Sequence, residues 1–212
     1  MCYTIEINLT KEQIEKRFNA RFGKDSEFEP RQKVSAFTFP ELPIICSNSV
    51  DEVKLYTWGL IPFWVRNGED AKSIRTKTFN ARAETLTERA SYRNSFKSKR
   101  CLVLANGFYE WHTRGKEKLP YFIDLKYKKP FALAGLYDNW QNQETGDSIN
   151  TFTVITTSAN PMMAKIHNIK KRMPVILPSD IERTWLNNEI SSSDLQRLLI
   201  PFDESLMEAR RV

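Results

Sequence analysis

The chain has 212 residues, 41% of them hydrophobic and 12% aromatic, which suits one large folded domain and excludes a disordered chain. Lysine and arginine outnumber aspartate and glutamate by 32 to 26, an excess that permits a polyanionic partner without requiring one. The three cysteines (Cys2, Cys46, Cys101) form no CxxC pair and there are two histidines, so we expect no metal, no cofactor, no disulfide framework and a reducing compartment.

The N-terminal segment predicts a strand followed directly by a helix. Residues 2–7 alternate in the β pattern, with Tyr3 on the face opposite Cys2. Thr10 and Gln13 form a capping box for a helix that carries Ile14, Phe18 and Phe22 and that Gly23 is expected to end. We therefore expect the packed helix to fix the position of Cys2. Charged residues interrupt any signal-peptide pattern, and no window reaches transmembrane length, so we expect a cytoplasmic protein with no membrane partner.

Large apolar side chains crowd residues 58–64, which follow predicted strands at residues 44–46 and 53–58. Gly59 and Pro62 break the segment, so most of its side chains are expected to form a corner of the core. The alternative is that Pro62 or Trp64 forms an apolar wedge or stacking platform at the mouth of a site.

Basic residues and one asparagine mark the segment at residues 75–82. Arg75, Lys77 and Arg82 are its cations, and each is compatible with a solvated surface. Asn80 precedes a predicted helix at residues 83–93, where an asparagine usually serves as the N-cap.

Residues 101–112 combine a buried-strand pattern with one carboxylate. Residues 101–105 are an apolar run, Asn106-Gly107 is a turn or bulge signal, and residues 108–111 resume the strand. Alternation places Glu110 opposite Tyr109 and Trp111, and this segment alone favours a solvated, outward Glu110 because strand carboxylates are mostly exposed. If Glu110 faces inward, burial would raise its pKa and make it a proton carrier near neutral pH.

The rest of the chain mixes short strands and helices. Residues 121–125 form the returning strand of a hairpin, and further strands are predicted at residues 131–137, 151–157 and 173–177. Short helices are predicted at residues 161–167, at 180–187 after a Ser179 cap, and at 194–199. There is no regular βαβ alternation. We expect one α+β domain over residues 1–212, mostly antiparallel β-sheet with a barrel-like core and short flanking helices.

Several motifs together resemble one family, the SOS-response-associated peptidase domain. They are Met1-Cys2, Trp-Gly-Leu-Ile-Pro at 58–62, Phe-Asn-Ala-Arg-Ala-Glu-Thr at 79–85, the Gly-Phe-Tyr-Glu-Trp core of 101–111, Thr-Thr-Ser-Ala-Asn at 156–160, and His167 before Arg-Met-Pro-Val-Ile-Leu at 172–177. They occur in the family's order over nearly the whole chain. Their combination is far more specific than any one of them.

The resemblance implies a sensor of abasic sites in single-stranded DNA that links itself covalently to the lesion through Cys2, with lyase-like imine chemistry. We separately expect a monomer, although the sequence does not determine the oligomeric state. Family members expose Cys2 by losing Met1, through self-cleavage or an aminopeptidase. By position, Asn80, Glu110 and His167 match the polar active-site residues beside Cys2. Arg82 matches a phosphate contact, which some of Arg75, Lys77 and Arg172 would share, and Trp64 would stack on bases.

The chain departs from the family pattern at two places. Tyr3-Thr4 replaces the usual Gly-Arg, which removes a basic DNA contact, and residues 168–171 lengthen the usual spacing between His167 and Arg172. A different function, that of a cysteine peptidase or N-terminal-nucleophile amidohydrolase using Cys2, is also compatible with the sequence. So are a single-stranded DNA-binding module without chemistry and a basic protein with no role on DNA.

Overall fold

The computed structural model describes residues 2–212. Its helices are α1 (Lys11–Phe18), α2 (Gly68–Arg75), α3 (Arg93–Ser98), α4 (Pro161–Ile166), α5 (Glu182–Leu186) and α6 (Ser192–Arg197). Its strands are β1 (Thr4–Ile7), β2 (Arg21–Phe22), β3 (Arg31–Ser35), β4 (Glu41–Cys46), β5 (Ser49–Trp58), β6 (Asn80–Arg82), β7 (Arg100–Ala105), β8 (Gly107–Arg114), β9 (Glu117–Leu125), β10 (Phe131–Gln141), β11 (Ser148–Ser158), β12 (Arg172–Pro174), β13 (Ile176–Leu177) and β14 (Met207–Arg211).

Short helices flank strands that pair mostly antiparallel, so the predicted α+β class is confirmed. Within the described residues, no helix has the length and apolar character needed to span a bilayer.

Five strands close into a barrel. The antiparallel pairs run from β5 through β4, β7 and β10 to β11. A parallel pairing then joins β11 back to β5, with Trp58 opposite Phe152. All six residues of β7 are buried, as the apolar run at 101–105 predicted. The barrel-like core expected from the sequence is confirmed, and the ring leaves these five strands without free edges at the closure.

A second sheet, called here the outer sheet, has the strand order β14-β9-β8-β1-β3. The chain enters it from β7 at Asn106, whose side-chain Nδ2 donates to Glu6 Oε1 at 2.6 Å. A Cβ atom at Gly107 would lie 2.1 Å from Cζ of Phe122, so only glycine fits where the chain crosses between the sheets. One cluster of buried apolar residues includes Phe108 of the outer sheet and Leu104 of the barrel, and it joins the two sheets.

The helix after Thr10 is shorter than predicted. The capping box is confirmed, because Gln13 N donates to Thr10 Oγ1 and Thr10 N donates to Gln13 Oε1. The helix ends at Phe18, where Asn19 adopts φ 49°, so the expected termination at Gly23 is wrong. Phe22 instead lies in β2 and pairs with Val53 of β5.

Two other local predictions are wrong. Residues 83–93 form a single 3₁₀ turn at Ala83–Thr85 and irregular structure, and α3 begins at Arg93. In the C-terminal region, α5 begins at Glu182 without a side-chain cap, so Ser179 is not its cap. The predicted strand at 173–177 divides into β12 and β13 because its halves pair with β11 and β10, respectively. In these segments, pairing with residues that are distant in the sequence determines the secondary structure, even where local propensity favours a different one.

Candidate active site

Strand β1 carries Cys2 into the interior. β1 lies between β3 and β8, with Thr4 opposite Ser35 on one side and Tyr109 on the other. Cys2 has no exposed surface, and its Sγ lies 3.9 Å from the carbonyl oxygen of Thr4. Cys2 is therefore fixed in place, as predicted, but the neighbouring strands β3 and β8 hold β1 rather than the helix that was expected to do so.

The Cys2 thiol is held in its protonated form. Burial raises its pKa well above the ordinary value, and the negative charge of Glu110 raises it further. The effect of Glu110 requires the two side chains to lie near each other. The same carboxylate also contributes to the raised pKa of Tyr3, for which partial burial is the larger cause.

Glu110 faces inward, so the outward orientation favoured by its own segment is wrong. Its side chain shares a face of β8 with fully buried Phe108, and 2% of the residue is exposed. Tyr109 and Trp111 lie half-buried on the other face, as alternation predicted. Burial raises the pKa of the Glu110 carboxyl to about 7, against the opposing effect of the Trp111 backbone N–H. The side chain is thus suited to give and take a proton near neutral pH.

His167 follows α4 and faces Glu110. Its Nε2 lies 4.0 Å from Oε2 of Glu110, and its Nδ1 lies 2.9 Å from the carbonyl oxygen of Arg172. Burial lowers the pKa of His167 to about 4, so the ring is neutral at physiological pH. If Nδ1 donates to the Arg172 carbonyl, the lone pair of Nε2 points toward Glu110. The longer spacing before Arg172 therefore does not carry His167 away from the site.

Asn80 lies in β6 and is not a helix N-cap. β6 pairs in parallel with β11, where Asn80 is opposite Val154. The side chain is buried, and within residues 2–212 neither its Oδ1 nor its Nδ2 has a hydrogen-bond partner. Its backbone carbonyl accepts from the Tyr92 hydroxyl at 3.2 Å. Burial raises the pKa of Tyr92, and a contribution from Tyr3 places these two phenols near each other. Asn80 is thereby connected to the Tyr3 side of the site.

A pocket of about 300 Å³ opens over Glu110 and His167. The outer sheet and the loop between α4 and β12 form its walls, through Tyr3, Glu110, Trp111, Thr113, Lys118, His167, Ile169 and Lys170. Within the described residues, no cluster of three or more histidine, cysteine, aspartate or glutamate side chains is arranged to hold a metal. The pocket is large enough for a sugar, and its buried groups are proton carriers.

The residues predicted to contact DNA occupy two regions. Arg82 on β6 and Arg172 on β12 lie on opposite sides of β11. Arg82 is exposed, whereas Arg172 makes a double ion pair with Glu84 at 2.5 and 3.0 Å. Trp64 and Lys77 line a separate open groove, while Pro62 beside them is buried. The Arg75 guanidinium is half-buried, 4.0 Å from the centroid of the Phe39 ring.

Sequence patterns assign no site role to five of the residues that line the pocket: Tyr3, Trp111, Thr113, Lys118 and Ile169. Tyr3 stands out in the sequence only as a departure from the family pattern, and Lys170 only as one of three consecutive basic residues at 170–172. Lys118 gives no local signal, because its place on the pocket depends on the register of β9 against β8. An exposed aromatic, Phe37, also packs against Tyr3, with the ring centroids 5.1 Å apart.

A family model described as "SOS response associated peptidase (SRAP)" matches residues 1–212. The chain belongs to this family. Its relatives in the SRAP family include the abasic site processing protein YoqW of Bacillus subtilis, 40% identical over 215 residues that cover 100% of this chain and 92% of YoqW. The abasic site processing protein HMCES of Xenopus tropicalis is 38% identical over 166 residues, covering 69% of this chain and 48% of that protein.

Solved structures share the fold. A crystal structure of a protein from Bacteroides thetaiotaomicron superposes with a TM-score of 0.95 at 40% identity, covering 100% of this chain and 92% of that one. A protein from Bordetella bronchiseptica superposes with a TM-score of 0.85 at 26% identity, covering 100% of this chain and 99% of that one. The barrel and outer sheet are therefore the SRAP fold.

Proposed function

We propose that this protein recognises abasic sites in single-stranded DNA and captures them covalently through Cys2 once Met1 has been removed, which protects the lesion. The observation that carries the proposal is that Cys2 lies near buried Glu110, which faces His167 and, together with His167, lines a pocket large enough for a sugar. The relatives named as abasic site processing proteins support the same substrate.

The chemistry depends on Cys2 becoming the first residue. Hydrolysis of the Met1–Cys2 bond leaves an α-amine and a thiol on adjacent carbons. The amine attacks C1′ of the ring-opened abasic deoxyribose, and loss of one water gives an imine. The sulfur then adds to the imine carbon while the thiol proton passes to the nitrogen, which closes a five-membered thiazolidine. An internal cysteine cannot react twice in this way.

Each polar residue of the site has a separate role in this reaction. Glu110, with a pKa raised to about 7, would move a proton between the anomeric hydroxyl and the ring oxygen as the sugar opens. Neutral His167 would accept and return protons during loss of water from the amine adduct. Asn80, whose amide atoms have no hydrogen-bond partner within residues 2–212, would bind the Cys2 amine or the sugar.

The DNA strand would be held mainly by its phosphates. Arg82 and Arg172 would bind phosphates beside β11, while Arg75 and Lys77 would extend the basic surface. Trp64, 44% exposed, would stack on a base next to the lesion. Such contacts predict binding that weakens with salt and depends little on sequence.

The alternative, cysteine peptidase activity, has less support from the thiol's surroundings. A nucleophilic cysteine needs an accessible thiolate, and burial keeps the Cys2 thiol protonated. Thiazolidine formation starts at the amine and does not need a thiolate in the first step. Turnover of an unrelated peptide that is lost in Cys2→Ala would favour the peptidase.

The deciding experiment is a denaturing gel of the protein mixed with single-stranded DNA that carries one abasic site, with removal of Met1 checked by mass spectrometry. We expect a slow-migrating band from the wild type and from Cys46→Ala, whose thiol is equally buried, and none from Cys2→Ala. Cys2→Ala and Cys2→Ser both keep the α-amine and lack the sulfur, so either variant should give a stable band only after borohydride reduction of the imine. A wild type that lacks Met1 and gives no band contradicts the proposal.

A further inference from the structure

Two exposed lysines from different elements flank the pocket, one on each of its two walls. Lys118 lies on β9, and Lys170 lies in the loop between α4 and β12. Both line the pocket that contains Glu110 and His167. Within residues 2–212, neither ammonium group makes an ion pair, in contrast to Arg172 with Glu84. Their positive charges contribute to the lowered pKa of His167, after burial as the main cause, so their field reaches the buried site.

One residue, Thr113 of β8, connects the two lysines. Thr113 is opposite Lys118 in the β8–β9 pairing. Thr113 lies on β8 past the residues that pair with β1, so its other backbone edge is available to Asn168. Asn168 Oδ1 accepts from Thr113 N at 3.0 Å, and Asn168 Nδ2 donates to Thr113 O at 2.8 Å. This double hydrogen bond anchors the loop that carries Lys170 to the strand that pairs with Lys118.

The far end of the same loop is also fixed. Lys171 adopts φ 48°, and its N–H donates to the His167 carbonyl at 2.8 Å. Its own carbonyl accepts from Ala159 N at 2.9 Å. The backbone that carries Lys170 is therefore bonded on both sides of the lysine, while the two ammonium groups stay exposed to solvent. A basic pair without internal partners on a fixed backbone fits an anionic group from outside the protein.

We propose that Lys118 and Lys170 together bind one backbone phosphate of the single-stranded DNA beside the lesion. This inference rests on the proposed function and deepens it. Arg82 and Arg172 belong to strands next to β11 of the barrel, whereas Lys118 belongs to the outer sheet. A DNA strand that crosses the pocket thus contacts cations of the barrel and of the outer sheet. Its abasic sugar is held over Glu110 from two sides.

Binding can be measured without the covalent chemistry by using a tetrahydrofuran analogue of the abasic site, which has no aldehyde. Lys118→Gln/Lys170→Gln is compared with Lys16→Gln/Lys126→Gln, which removes the same charge from exposed lysines outside the pocket. We expect the first double variant to bind roughly three- to tenfold more weakly at low salt, and its slope of log affinity against log salt to fall by about 0.7, the value for one phosphate on a single strand. The control pair should stay near the wild type. Equal losses in the two double variants overturn the proposal, since they would reflect net charge alone.

A neutral methylphosphonate placed at each phosphate in turn locates the contact. One position should weaken wild-type binding while leaving Lys118→Gln/Lys170→Gln unaffected, because that variant has already lost the contact. If every position weakens both proteins equally, the lysine site does not exist. Crosslinking to a true abasic site is recorded separately on the wild type. Its absence, together with a lysine-dependent phosphate, would refute the covalent chemistry and still support the lysine site.

Discussion

Oε2 of Glu110 and Nε2 of His167 lie 4.0 Å apart, and burial favours the neutral form of each between about pH 4 and pH 7. A neutral carboxylic acid beside a neutral imidazole can exchange protons with a bound sugar without leaving a buried charge uncompensated. This pair, next to the Cys2 thiol, underlies the first two predictions.

Glu110→Gln should slow covalent capture of abasic DNA by roughly 100-fold or more, the usual effect of removing a positioned acid or base. The wild-type crosslinking rate should fall as the pH rises through about 7, to the extent that it depends on the protonated Glu110 carboxyl. The pH profile of the Glu110→Gln rate should lack this step. The measurement is a time course of crosslinking at a series of pH values. Glu117→Gln, on the same hairpin but exposed and paired with Arg114, is the control and should react like the wild type. A Glu110→Gln protein with wild-type rates would remove Glu110 from the chemistry.

The same substitution should change how stability depends on pH. Folding raises the pKa of Glu110 from 4.5 to about 7, so its contribution to stability is complete below about pH 4.5 and is lost as the pH rises through 7. Between pH 5 and pH 8 the Glu110→Gln protein should therefore gain about 2–3 kcal/mol relative to the wild type. Urea unfolding at both pH values measures this difference. His167 acts in the opposite sense, since its contribution is present above pH 6.5 and is lost as the pH falls through about 4, but both proteins retain it. A difference that does not change with pH would show that Glu110 titrates normally.

Asn80→Ala should separate function from stability. In the free protein the buried amide has no hydrogen-bond partner within residues 2–212, so removing it should change the free energy of unfolding by less than about 1 kcal/mol in either direction. Crosslinking should slow roughly two- to tenfold if the amide binds the neutral amine or the sugar, because a neutral hydrogen bond contributes about 0.5–1.5 kcal/mol. Thermal unfolding and crosslinking rates are measured on the same samples. A large loss of stability would instead assign Asn80 a structural hydrogen bond.

Glu84→Gln should strengthen the binding of single-stranded DNA several-fold at low salt. The substitution releases the Arg172 guanidinium from its double ion pair and removes one negative charge from the basic surface. Glu88→Gln, an exposed carboxylate without an ion pair among the described residues, controls for charge alone. If Glu84→Gln binds DNA more weakly than Glu88→Gln, then Glu84 orients Arg172 for the phosphate and does not compete with it.

Sequence patterns predict the structural features that depend on residues close together in the chain. The capping box at Thr10, the buried run at 101–105 and the hairpin of β8 with β9 depend on local composition, and all three are present. The alternation around Glu110 is also confirmed, but which face is buried depends on Cys2 and His167, which are more than fifty residues away in both directions. The N-cap predicted at Asn80 is wrong for the same reason, because its partner strand begins at Ser148. The family resemblance supplied the grouping of site residues that periodicity alone does not contain.

The placement of β1 also has a consequence for the order of events during protein synthesis. Cys2 is synthesised well before the elements that surround it, because β1 pairs with β8, which ends at Arg114, and the pocket also needs the loop after His167. At the usual rate of roughly 5–20 residues per second, about eight to thirty seconds pass between residue 2 and residue 167. Until residue 167 has been made, Cys2 has neither the His167 imidazole nor a complete pocket beside it. Any chemistry at Cys2 that depends on these groups therefore has to wait until the chain has been synthesised beyond His167.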